Sequence, residues 1–187
     1  MEIDVRAAKP AVWGDVASVL DRRGSVRGCW CMFFRQTAAE YRAGLGAGNR
    51  DALRELVAAG GASPGLVAYR DGVPAGWVSV GPRAAYPRLD RSPVSKPVDD
   101  TPVWSLVCLY VAPEHRRAGV SRALVRAALR YAAEHGASTV EAYPVDDTLG
   151  KVSSDDAYHG VVSLLASEGF AEVARRTPGR PVMRCEV

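Results

Sequence analysis

Arg116, Arg117 and Arg122 cluster around Gly119 and Ser121 in the run Pro113-Glu114-His115-Arg116-Arg117-Ala118-Gly119-Val120-Ser121-Arg122. The run separates an apolar stretch from an amphipathic one, so it reads as the turn from a buried strand into a helix. The first amides of such a helix lack intrahelical acceptors, and its dipole favours an anion. Gly119 lets the backbone approach closely, Ser121 adds a small donor, and the guanidinium groups offer charge-assisted bonds to phosphate oxygens. A pyrophosphate suits that position. No Gly-Lys-Ser/Thr follows the glycine and there is no Gly-x-Gly-x-x-Gly here, which sets aside the nucleotide-hydrolase loop and the dinucleotide turn.

A second set of reactive groups follows that helix. In the strand-like residues 138–143, Thr139, Glu141 and Tyr143 share one face and Val140 and Ala142 the other. An unpaired buried carboxylate is costly, so Glu141 is expected to face a polar cleft or a partner. Asp146 and Asp147 lie just beyond, where acidic residues can attract a cation or simply shape a turn. His135 is expected to serve a helix end, while Tyr158 and His159 have no assigned role. Cys29 and Cys31 flank Trp30, yet the other two cysteines lie alone in apolar runs, so reduced thiols without a metal are expected. Trp30, Phe33 and Phe34 read as core.

The elements that must position these groups follow from periodicity. Residues 3–7 alternate as a strand, Pro10 opens a helix that Gly24 closes, and residues 38–59 are helical with a break near Gly44, Gly46 and Gly48. Residues 65–70 and 76–80 form a hairpin about Asp71-Gly72. Residues 83–101 show no periodicity and read as a lid, binding loop or disordered stretch. Residues 103–111 are apolar on both faces, as in a central strand. In the next helix Val120, Ala123, Leu124, Ala127, Ala128 and Tyr131 form the apolar stripe, opposite Arg122, Arg126 and Arg130. That helix stops at Gly136. Asp155 or Asp156 caps a last helix that carries Tyr158, Val161, Val162 and Leu165 and ends at Gly169, before strands at 170–175 and 182–186. The class is α/β with a mixed sheet.

The 187 residues, 48 % of them hydrophobic, fit one compact domain over 1–187. With 24 basic against 21 acidic residues the net charge is only +3, which argues against a dedicated nucleic-acid or membrane-surface protein. No apolar run of about 18 residues occurs and the first residues lack a signal pattern, so a cytoplasmic location is expected.

The turn resembles the acetyl-CoA-binding motif of the GNAT superfamily of N-acetyltransferases: Arg or Gln, two variable residues, Gly, one variable residue, then Gly or Ala. Arg116, Gly119 and Ser121 fill the three fixed places, Ser121 as a mild departure. Leu109-Tyr110-Val111-Ala112-Pro113, Ala123-Leu124 and Gly169-Phe170 also match. The resemblance implies a mostly antiparallel sheet of six or seven strands, flanked by helices and splayed between the strand ending at Val111 and that starting near Ser138. It implies a pantetheine arm bonded to the main chain of Leu109, Tyr110 and Val111, and a pyrophosphate met by Arg116, Arg117, Ala118, Gly119, Val120, Ser121 and Arg122. The acceptor amine would enter from the far side, walled by residues 29–35 and 83–100. No metal is implied, and a homodimer is left open.

Two departures from the resembled family bear on catalysis. A glutamate base found on the central strand in some members is matched here by Ser105. The tyrosine four residues before Gly-Phe is matched by Leu165. An ammonium must lose a proton before attacking a thioester, so Glu141 is the candidate base and Tyr143 the candidate donor to the departing thiolate. The expected activity is acetyl transfer to the amine of a small molecule or of a protein or peptide. The alternative is a catalytically silent domain that binds acyl-CoA as a sensor or assembly module.

Overall fold

The computed structural model describes residues 2–21, 28–153 and 156–187. Gly24 and Asp155, expected to close the first helix and cap the last, lie outside the described residues. β1 (Ile3–Ala7) leads through a 3-10 turn at Pro10–Val12 into α1 (Trp13–Leu20). α2 (Ala38–Ala43) begins at a capping box in which the Glu40 amide donates to Thr37 Oγ1 at 3.3 Å and the Thr37 amide to Glu40 Oε2 at 2.8 Å. Gly46, at φ +90°, separates it from α3 (Ala47–Ala58), where the glycine cluster predicts the break. β2 (Leu66–Arg70) and β3 (Val73–Pro82) meet at Asp71 and Gly72, whose φ of +50° and +80° suit a tight hairpin.

β4 (Trp104–Val111), α4 (Val120–Glu134) and β5 (Thr139–Ala142) form the centre of the molecule. α4 buries Val120, Leu124, Val125, Ala127, Ala128 and Ala132 against the sheet and leaves Arg122, Arg126 and Arg130 in solvent. The expected last helix is shorter than the sequence pattern suggests. Ala157–His159 is a separate 3-10 turn, and α5 (Val162–Ser167) starts only after Val161 has bridged Val145, with Gly160 at φ +80° between them. β6 (Ala171–Thr177) and β7 (Arg180–Glu186) complete seven strands in the order β1-β2-β3-β4-β5-β7-β6.

All neighbouring pairs are antiparallel except β4 and β5. Ser79 pairs with Cys108 but Val80 with Leu106, so Val107 is an extra residue that bends β4. The parallel pairing of β4 with β5 covers Trp104–Val140, Ser105–Glu141 and Leu106–Ala142 only. Beyond Leu106 the sheet therefore opens. α4 packs on one face with Leu106, Leu109 and Val140, and α1 and α3 cover the other with Trp30, Trp77 and Cys108. A third cluster unites Phe34, Tyr86, Leu89, Val107, Tyr143 and Val182. It folds residues 83–103 over the sheet, with Tyr86 and Leu89 fully buried, so this segment is a packed loop containing two 3-10 turns.

Candidate active site

The turn between β4 and α4 takes up left-handed backbone at Arg117 (φ +58°) and at Gly119 (φ +82°), the N-cap of α4. Among the described residues no side chain caps that helix, so its leading amides keep their donors for an outside acceptor. A Cβ on Gly119 would find no atom nearer than Ile3 Cδ1 at 3.8 Å, so glycine serves the conformation here and the ground above it is open. Arg116, Arg117 and Gly119 are exposed, and Ala118 and Ser121 half-buried. Arg116 Nε donates to the Val111 carbonyl at 3.3 Å, fixing the strand end beside the turn. Arg122 behaves differently: Nε lies 2.9 Å from Glu168 Oε1, while Arg126 Nε holds Oε2 at 2.6 Å. Its guanidinium ties α4 to the end of α5, and only its amide faces the turn.

On β5, in the part still paired with β4, Glu141 is 1 % exposed and lies between two guanidinium groups. Oε1 accepts from Arg83 Nη1 at 2.9 Å and from the Tyr143 hydroxyl at 2.7 Å, and Oε2 accepts from Arg184 Nε at 2.8 Å. Tyr143 Oη in turn receives Arg83 Nη1 at 2.7 Å and lies 2.9 Å from Ser105 Oγ. Burial and the Glu141 charge push the Tyr143 phenol well up, so it keeps its proton and gives it to the carboxylate. Arg184 also grips Asp99 through two bonds of 2.7 and 3.0 Å, and Arg83 grips Asp90 at 3.0 Å and the Ser95 carbonyl at 2.8 Å. Arg83, Asp99 and Arg184 were not singled out by sequence. The one signal was the demand of a buried carboxylate for a partner.

The opposite wall is aromatic and sulfur-rich. Cys31 Sγ lies 3.2 Å from Cys108 Sγ and accepts Trp77 Nε1–H at 3.1 Å. Its bond to Cys108 and its burial push the Cys31 thiol well up. Trp30 and Phe34 are buried and Phe33 half-buried. Tyr158 packs against both the Trp77 and the Tyr143 clusters, its ring 4.0 Å from that of His159. Burial, with Cys108 beside it, pushes the Tyr158 phenol up to about 12. Burial first and Arg180 second push the His159 imidazole down to about 3, which leaves it neutral.

Other groups noticed in the sequence serve structure. Asp146 accepts from Thr148 and from Arg175 Nη1 at 2.6 Å, and Asp147 accepts the Ser163 amide at 3.0 Å in the first turn of α5. His135 Nδ1 lies 2.8 Å from the Tyr131 carbonyl at the end of α4. Among the described residues no group of three or more His, Cys, Asp or Glu is placed to hold a metal, and no helix is long and apolar enough to cross a membrane.

A mostly antiparallel sheet that parts beside its bulged central strand, with that strand leading through a left-handed turn into an uncapped helix, is the architecture of an acyltransferase. The chain belongs to the acetyltransferase (GNAT) family, whose profile matches residues 30–151. No curated protein matches it. Solved structures share the fold at low identity. The PaiA N-acetyltransferase of Thermoplasma acidophilum, in complex with coenzyme A, is 14 % identical with a TM-score of 0.57 and full coverage of both chains. A mosquito arylalkylamine N-acetyltransferase-like protein is 12 % identical at 0.57, again over both whole chains. An agmatine N-acetyltransferase mutant in its apo form is 11 % identical at 0.60, also at full coverage.

Proposed function

We propose that the protein is an acetyl-CoA-dependent N-acetyltransferase whose acceptor is the amine of a small molecule or peptide. The observation that carries this is the alignment of the open edge of β4, from Val107 onward, with the uncapped start of α4 at Gly119. Acetyl-CoA supplies an activated acetyl thioester. In this reading the main chain of Leu109, Tyr110 and Val111 binds the pantetheine arm. The amides of residues 117–122, with the exposed side chains of Arg116 and Arg117 and the Ser121 hydroxyl, hold the pyrophosphate. Arg122 contributes its amide alone, since its guanidinium is engaged by Glu168.

Tyr158 is the group that protonates the departing thiolate: it is half-buried beside Cys108 on β4 and carries its proton at neutral pH. Tyr143 is less suited, because its proton is already given to Glu141. Glu141 has three of about four carboxylate acceptor sites in use and acts as a positioning residue for Arg83 and Arg184. The acceptor therefore loses its ammonium proton to water, and backbone positioning supplies much of the rate. No observation favours the silent acyl-CoA-binding module.

The test is binding followed by turnover. Acetyl-CoA at about 100 times its Kd should stabilise the fold by about 2.7 kcal/mol, read as a rise in Tm. Gly119→Glu places bulk and negative charge at the turn and should abolish both the shift and thiol release from acetyl-CoA. A folded Gly119→Glu protein that binds like wild type would show that the phosphates sit elsewhere.

A further inference from the structure

We infer that the acceptor carries a carboxylate beside its amine, and that Arg180 receives it; this rests on the N-acetyltransferase reading above. Arg180 opens β7 just after the β6–β7 turn and is half-buried. Its Nη2 donates to the Tyr143 carbonyl at 3.2 Å, at the point where β5 has ended and the sheet parts. Its Nε is buried without an acceptor among the described residues. Burial lowers its guanidinium from the ordinary value, and Asp156, which partly offsets this, already accepts Ser153 Oγ at 2.7 Å. Other arginines of this sheet face are satisfied: Arg83 and Arg184 by Glu141 and further acids, Arg176 by three carbonyls. A half-buried guanidinium with an orphaned N–H is costly unless a ligand completes it, and a carboxylate matches its fork.

The surroundings point the same way. His159, adjacent enough to feel the Arg180 charge, also has a buried Nδ1 with no partner among the described residues. A purely cationic acceptor would meet Arg180 unfavourably, whereas a zwitterion gains an ion pair at one end and presents its amine toward Tyr158 at the other. In the transfer itself the amine nitrogen forms a bond to the acetyl carbonyl carbon and the carbon–sulfur bond breaks. Water takes the ammonium proton first; the thiolate then takes a proton from Tyr158, the acylated nitrogen gives its second proton back to the Tyr158 oxygen, and the carboxylate is unchanged.

The test compares free amino acids, their amides, their decarboxylated amines and short dipeptides as acceptors in a thiol-release assay. Carboxylated acceptors should show the highest kcat/KM, and a preference between free amino acids and dipeptides identifies which kind of carboxylate is read. Arg180→Gln should raise KM for them by about 10- to 100-fold, the scale of a lost charge-assisted bond, and leave the acetyl-CoA-induced Tm shift intact. Arg180→Lys, which keeps the charge and loses the fork, should fall between. Amides or decarboxylated amines that serve equally well, or unchanged KM in both variants, would overturn the inference. If no amine is acetylated, the N-acetyltransferase reading fails, and calorimetric titration of amino acids against their amides into the CoA-saturated protein decides the carboxylate site alone. Selective binding that is lost in Arg180→Gln upholds it, and equal or absent binding overturns it.

Discussion

At the scale of the residue, the proposed function separates Glu141, which holds two arginines in place, from Tyr158, the proposed proton donor. Glu141 neutralises Arg83 and Arg184, which are only 15 % and 13 % exposed. Glu141→Gln keeps the shape and removes the charge, so two largely buried guanidinium groups lose their shared counter-ion. The expected cost is about 3–5 kcal/mol of stability in denaturant titration, with a far smaller change in kcat of the folded fraction. Tyr158→Phe should do the opposite, lowering kcat by roughly 10²–10⁴ at unchanged Tm and unchanged acetyl-CoA binding. A Glu141→Gln enzyme of wild-type stability that had lost its kcat, beside an active Tyr158→Phe, would reverse the two assignments.

At the scale of the element, residues 83–103 form a strap across the end of the sheet. The Arg83 amide donates to the Val103 carbonyl at 3.1 Å, so the segment leaves and returns at one point, as a compact surface loop does. Tyr86 and Leu89 plug it from within. From β6, Arg176 reaches the carbonyls of Val94, Lys96 and Pro97 at 3.0, 2.7 and 2.8 Å. Arg176→Ala removes all three bonds and leaves the plug in place. Opening of the strap should become about 10-fold more frequent, seen as faster limited proteolysis within residues 88–100 at nearly constant global Tm. An unchanged cleavage rate would mean that Tyr86 and Leu89 hold the segment by themselves.

At the scale of the whole molecule, the buried neutral His159 couples folding to acid. The unfolded chain binds a proton there below about pH 6.5, while the folded chain does so only near 3. Stability contributed by the neutral imidazole is therefore complete above about 6.5 and is lost as pH falls toward 3, by on the order of 4–5 kcal/mol. The carboxyls of Asp146, held down by Thr148 and Arg175, and of Glu172, held down by Arg175, add losses in the same direction at the acid end. Chemical denaturation between pH 4 and 7 should show the slope, and His159→Gln should flatten it. An identical slope in that variant would place the acid sensitivity in the carboxylates alone.

The local parts of this protein were legible in its sequence because their causes are local. The turn at Arg116–Gly119–Ser121, the stripe of α4, the Asp71-Gly72 hairpin and the break near Gly46 each follow from conformational limits or periodicity within a few residues. Even so, α5 begins later than its apolar pattern suggests, because Val161 is taken by a bridge to Val145 from a distant segment. Pairing of side chains far apart in sequence has no such signature. Arg83 and Arg184 reach Glu141 across 58 and 43 residues, and Arg184 reaches Asp99 across 85. The convergence of Tyr158, His159 and Arg180 is likewise written in no spacing. Sequence alone determined the turn into α4 and its glycine, since backbone conformation and a helix terminus suffice for that. Only the tertiary structure decided which groups are paired off and which stay open to a substrate, since burial and partnership depend on chains brought together by the whole sheet.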